Sequence, residues 1–125
     1  VLSLFGLAET NYKKGNIKEM SLNYKNIYED TNIDLYYRDL SRILSVMKNN
    51  ISTFDEQINI LEPILNSPSK LQLLAAELEI MLYVRSGNVN DGYTKIKNLL
   101  KRPDISLEQK SRLELLNKIY ISNAK

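Results

Sequence analysis

Tyr12-Lys13-Lys14-Gly15-Asn16-Ile17-Lys18-Glu19-Met20 and Tyr83-Val84-Arg85-Ser86-Gly87-Asn88-Val89-Asn90-Asp91-Gly92 are two versions of one phrase. Each runs from an aromatic and basic helix end, through a glycine, to an asparagine followed three residues later by an acid. Glycine takes a left-handed turn conformation at little steric cost, so the phrase reads as helix, tight turn, helix. A third, looser version starts at Ser52, and segments beginning at Gly15, Ser52 and Gly87 align without gaps at spacings of 37 and 35 residues.

In this register Ile17, Phe54 and Val89 coincide, then Tyr24, Leu61 and Ile96, then Ile27, Ile64 and Leu99, then Tyr28, Leu65 and Leu100. The shared intervals of seven, ten and eleven residues return to one face of a helix, so each copy contains an amphipathic helix. Asn16-x-x-Glu19, Thr53-x-x-Glu56 and Asn88-x-x-Asp91 predict three capping boxes or close relatives. Ser52 is expected to fill the turn slot that Gly15 and Gly87 occupy. Pro68 and Pro103 share the position just past the helix, where a residue without an N–H helps stop it.

Upstream of each cap lies another helical stretch: 2–14, 35–50 and 71–86. The unit is therefore a helical hairpin, predicted at 2–31, 35–66 and 71–101, within repeats 1–34, 35–70 and 71–105. A last segment, 106–125, with Leu107, Leu113, Leu116, Ile119 and Tyr120 apolar among charged residues, follows Asp104 and Ser106 and reads as a helix closing the stack. The expected fold is all-α, with seven helices in a single domain over 1–125. Val1 opens the chain inside what reads as a helix, which predicts a piece of a longer protein.

Composition narrows the chemistry. The chain holds neither cysteine nor histidine, so thiol nucleophiles, Ser-His-Asp triads and the common zinc ligands are excluded. Acid pairs such as Glu77 with Glu79, or Asp55 with Glu56, are one or two residues apart and do not share a helix face, as a two-carboxylate site would require. The four glycines are scattered outside any phosphate-loop pattern. No enzyme activity, cofactor or metal is expected.

Seventeen basic residues and 15 acidic ones give a net charge of +2 without a basic tail, and no nucleic-acid partner is expected. Lys95, Lys97, Lys101 and Arg102 complement the negative end of their helix. The stretch from Leu71 to Val84 is nearly apolar but too short, and with Glu77 and Glu79 too charged, to span a bilayer. Of the eight tyrosines, Tyr24, Tyr28, Tyr83, Tyr93 and Tyr120 fall on predicted core stripes. The sequon Asn50-Ile51-Ser52 carries no weight in a chain so rich in Asn, Lys and Ile.

The two phrases resemble the turn signature of tetratricopeptide repeats, with Tyr24 and Ile27 at the later large and small apolar positions. The resemblance implies a right-handed solenoid of about three hairpins plus a capping helix, and a protein or peptide partner held on the first helices. The groove residues it implies are Glu9, Tyr12 and Lys13, then Asp39, Arg42, Val46 and Asn49, then Glu77, Met81 and Arg85. Arg42 and Arg85 would be polar anchors, with Val46 and Met81 as an apolar floor; the alternative for both arginines is pairing with neighbouring acids. The family's small residue after the capping acid is replaced by Met20, Gln57 and Gly92, so Gly92 alone is expected to keep a tight helix contact there. Phe5 and Glu9 stand where chaperone-binding members carry a cation and an amide, so the tail-carboxylate clamp of those members is not matched.

Residues 35–44, 75–79 and 99–115 are similar to the C-terminal half of the bacterial membrane-anchored tetratricopeptide family typified by the ancillary subunit of the Sec translocon. That resemblance implies an inner-membrane anchor outside this fragment, repeats in the periplasm, and translocon or chaperone partners. The alternative is a soluble scaffold of the cytoplasm or of envelope assembly.

Overall fold

A computed structural model describes residues 1–121, with side chains described as far as Ile119. Among the described residues there are seven α-helices, one π-helical turn and no strand. The helices are α1 (Leu2–Lys13), α2 (Ile17–Tyr28), α3 (Leu35–Lys48), α4 (Phe54–Leu65), α5 (Gln72–Arg85), α6 (Val89–Leu100) and α7 (Leu107–Leu116), with the π turn at Asn117–Ile121. The protein is all-α. The part of the expected closing helix at 122–125, and the side chain of Tyr120, lie outside the described residues. The chain forms two compact units, Val1–Ala75 and Ala76–Lys125, and the boundary falls inside α5.

In the first unit α2 is the central helix, packed on both α1 and α3. Its buried face is Met20, Tyr24, Ile27 and Tyr28, the 3.6-residue stripe expected of it. Met20, Tyr24 and Ile27 join Ala8 of α1 in one core cluster, and Phe5, Ile17, Ile33 and Leu44 pack against its edge. Small residues let the neighbouring backbones come close. Ala8 is fully buried on α1, as are Ser41 and Ser45 on α3. The Ser41 hydroxyl lies 3.2 Å from the Tyr24 carbonyl of α2 and 3.0 Å from the Arg38 carbonyl of its own helix. The small buried residues of this unit are thus Ala8 and the two serines, while Met20 is enclosed in the cluster with Ala8.

The two glycine turns are alike in detail. Gly15 and Gly87 adopt φ of 78° and 88°. At the first turn the Gly15 N–H reaches the Tyr12 carbonyl (3.0 Å) and the Asn16 N–H reaches Asn11 (2.8 Å). At the second the Gly87 N–H reaches Val84 (3.2 Å) and the Asn88 N–H reaches Tyr83 (2.9 Å). Both are Schellman ends, which satisfy the last carbonyls of the helix through a left-handed residue.

Ser52 does not take the glycine's place: no described non-glycine residue has a positive φ. Here α3 ends on Asn49 in an extended conformation. The Asn49 side-chain oxygen accepts from the N–H groups of Ile51 (3.0 Å) and Ser52 (3.1 Å), and its carbonyl accepts from Gln57 (3.1 Å). A side chain performs what the left-handed glycine does elsewhere.

The predicted caps divide. Thr53 is extended, and its hydroxyl accepts from the Glu56 N–H at 3.2 Å. Asn16 and Asn88 make no side-chain cap. Their ψ values of 71° and 61° depart from the extended geometry of Thr53, and their amides are engaged elsewhere, Asn16 on Asn11 and Asn88 on Ser86. Glu19 and Asp91 still stand in the first turns, facing the positive helix ends. A complete capping box forms at Ser106 and Gln109, at the start of α7. Pro63 lies inside α4, which continues only two residues past it.

In the second unit the core contains Ile80 and Leu82 of α5, Ile96 and Leu99 of α6, and Leu113 of α7. Lys95 of α6 pairs with Glu79 of α5 at 3.4 Å and lies over the Tyr83 ring at 5.0 Å, so the two helices stand side by side. Tyr83 and Tyr93 are half-buried, unlike the fully enclosed Tyr24. Of the apolar residues expected to bury the last helix, Leu113 does so and Leu116 is half-buried. Leu107 and Ile119 are exposed.

Gly92 is buried in α6. Placing a leucine there puts four extra carbons into packed space, and Gly92→Leu is expected to destabilise by about 1–3 kcal/mol. A thermal melt checks this, and an unchanged Tm would rule out a tight contact at that position.

Candidate functional site

In the first unit the first helices of two expected hairpins meet, and in the second the first helix of the third hairpin meets the expected closing helix. In the first, α1 runs beside α3: Phe5 packs on Tyr37 with ring centres 6.4 Å apart, and Glu9 of α1 is hydrogen-bonded to Lys48. The Lys48 ammonium also stands 4.8 Å from the Tyr12 ring centre. Burial pulls the Lys48 pKa down, but the hydrogen bond and charge of Glu9, together with Tyr24, outweigh it and leave the ammonium above its ordinary value. The same hydrogen bond holds the Glu9 carboxyl below the usual range. Both groups are charged at neutral pH.

In the second unit α5 runs beside α7. Arg112 grips Glu77 with both arms of its guanidinium, Nε to Oε2 at 3.2 Å and a terminal nitrogen to Oε1 at 2.9 Å. That hydrogen bonding raises the Arg112 pKa further. Beneath this clasp lies an apolar pocket of about 330 Å³, within the range of small-ligand and side-chain sites. Met81, one turn beyond Glu77, forms one wall, and Leu113, Leu115, Leu116 and Ile119 form the other. Leu115 and Ile119 are 56% and 46% exposed, so the mouth is open and greasy.

The implied groove residues therefore part company. Tyr12 and Lys13 are exposed on α1 and Arg85 is exposed at the end of α5, while Glu77 and Met81 line the pocket. Asp39, Val46 and Asn49 are buried, at 4%, 3% and 8% exposure, and offer no surface to a partner. Asp39 accepts from the Ser69 hydroxyl at 2.7 Å, and that hydroxyl receives the Leu71 N–H, so the acid pins the loop leading into α5. Asn49 is the loop-builder already described. Arg42 is turned toward its neighbouring helices: it lies 4.2 Å from the Tyr28 ring centre and donates to the Ile60 carbonyl at 3.1 Å, and among the described residues it forms no ion pair. Burial lowers its pKa and, in the same way, raises that of Tyr28.

Arg112, Leu115, Leu116 and Ile119 were not among the implied groove residues. The available signal was spacing: Arg112 stands 35 residues after Glu77, the interval that separates Ser52 from Gly87 in the aligned segments.

The two acids of α5 serve different partners, Glu77 meeting Arg112 and Glu79 meeting Lys95. Among the described residues no group of three or more acidic side chains converges as a metal site, and no helix is long and apolar enough to cross a membrane. The chain matches no protein-family model, no curated protein and no solved structure.

Proposed function

We propose that this chain is a non-catalytic module that holds other polypeptides, built as a right-handed tetratricopeptide-like solenoid whose first helices carry the contact surface. The observation that carries the reading is the apolar pocket between α5 and α7, walled by Glu77 and Met81, two residues that the tetratricopeptide resemblance implies for the groove. The matched Schellman turns at Gly15 and Gly87 and the recurring spacing support the repeat. An open pocket lined by Met and Leu, with one charged clasp at its rim, suits the insertion of a large apolar side chain. The nearby charges then select its neighbours in sequence. A place beside a membrane translocon or its chaperones is the narrower form of the proposal, resting on the resemblance of 35–44, 75–79 and 99–115.

The test is selection from a random peptide library on the immobilised chain. It is expected to enrich peptides sharing an apolar anchor, with binding about tenfold weaker to Met81→Asp and retained by Met81→Leu. A library that enriches nothing overturns the function. Anchored peptides that bind a normally folded Met81→Asp undiminished would remove the pocket from it.

A further inference from the structure

We propose that Met81 is a modification site through which a hydroperoxide controls the pocket: oxidation of its thioether to the sulfoxide shuts the pocket to apolar side chains, and reduction reopens it. This rests on the polypeptide-binding reading and specifies how that site is regulated. The chain has three methionines and no cysteine, so thioethers are its only sulfur. Their surroundings differ. Met20 has no exposed surface and lies in the cluster with Ala8, Tyr24 and Ile27. Met47, near the end of α3, is 59% exposed. Met81 is half-buried and forms one wall of the open pocket of about 330 Å³. A space of that size admits hydrogen peroxide, which is little larger than water, whose share of liquid volume is about 30 Å³. The other wall, Leu113, Leu115, Leu116 and Ile119, is aliphatic, so Met81 is the one side chain lining the pocket that mild oxidants attack.

The step is a two-electron oxidation of sulfur. A lone pair of the Met81 sulfur attacks the terminal oxygen of the hydroperoxide, the S–O bond forms and the O–O bond breaks. The proton of the transferred hydroxyl passes to the departing oxygen, so hydrogen peroxide leaves as water and an organic hydroperoxide as its alcohol. Return takes two electrons and two protons, which a thiol supplies through a methionine sulfoxide reductase, and the oxygen departs as water.

The product no longer serves as an apolar wall. A sulfoxide oxygen is a hydrogen-bond acceptor, and an apolar side chain seated against it strips its water without replacing the lost bond. Arg112 carries the only side-chain donors among the lining residues, and its guanidinium is already held by both oxygens of Glu77, at 3.2 and 2.9 Å. The same oxidation at Met47 alters an exposed position on α3, which is no part of the pocket. At Met20 it would require the cluster to open, so a sulfoxide there reports unfolding rather than control.

The experiment treats the 125-residue chain with dilute hydrogen peroxide, removes the excess with catalase, and maps the modified residues by peptide mass spectrometry. Met81 and Met47 are expected to gain one oxygen each, and Met20 none. Fluorescence anisotropy then follows a fluorescein-labelled, methionine-free peptide with an apolar anchor, taken from the library selection. Its binding is expected to weaken at least about tenfold on oxidation, and to recover after incubation with the two epimer-specific sulfoxide reductases and dithiothreitol. Met47→Leu should lose binding on oxidation as the wild type does, whereas Met81→Leu should bind equally before and after treatment when compared with its own untreated sample. A protected Met81, an oxidised Met20, undiminished binding once Met81 is converted, or the same loss in treated Met81→Leu would each overturn the proposal. Each is read on a peptide that binds the untreated chain, so the broader function stands in that event; a library that yields no such peptide overturns both.

Discussion

Met20→Ala should lower the stability of the chain by about 2–5 kcal/mol, the range for a fully buried methionine whose cavity only partly collapses. Met20 has no exposed surface and shares its cluster with Ala8, Tyr24 and Ile27. Ala8→Leu, in the same cluster, is expected to cost about 1–3 kcal/mol by overpacking. The decisive measurement is the double variant. If Ala8 is small because Met20 is large, Ala8→Leu with Met20→Ala restores the volume and should recover at least about 1 kcal/mol over the sum of the single changes. Strict additivity in urea titrations would mean that the two side chains fill separate spaces, and the size exchange between α1 and α2 would have to be abandoned.

That exchange marks how far the sequence could be read. The helices, their order and the glycine turns were legible because they depend on short-range rules: an apolar period, a residue free to take positive φ, a proline past a helix end. At Met20 the pattern called for a small residue. Inspection of α2 alone could not reveal that the small residues stand across the interface, at Ala8 on one side and Ser41 and Ser45 on the other. The caps failed for a similar reason. Asn16 and Thr53 carry the same signal, and only the backbone angle entering the helix, set by the loop before it, decides whether the side-chain oxygen reaches its N–H.

The groove was harder still. Its assignment used position on the first helices, yet a helix in a layered α-protein has two neighbours and only a narrow free strip. On α3 and at its C-cap the positions read as free include Asp39, Val46 and Asn49, all of which are buried. On α5 the same reasoning found Glu77 and Met81 at the edge of a pocket. A charged or amide side chain is ambiguous in sequence because it satisfies a buried loop as readily as a ligand, and Asp39 and Asn49 do the former.

Arg42 makes the ambiguity measurable, because a groove anchor and a packing residue predict different losses. Its guanidinium stacks on Tyr28, one face of the central helix α2, and donates to the Ile60 carbonyl of α4, so a single side chain on α3 ties both neighbouring helices. A hydrogen bond from a charged donor is worth about 1.5–3 kcal/mol, and a partly desolvated cation–ring contact about 1–2 kcal/mol. These contributions share one group and do not simply add. Arg42→Ala is therefore expected to cost about 2–3 kcal/mol, with the apolar stem lost as well. Arg42→Lys should recover less than half of this, since an ammonium cannot lie flat on the ring while reaching the carbonyl. Urea unfolding at neutral pH reads both variants. If Arg42→Ala unfolds at the wild-type midpoint but loses peptides enriched by the wild type, the arginine is an anchor after all, and the inward contacts carry little of the stability assigned to them here.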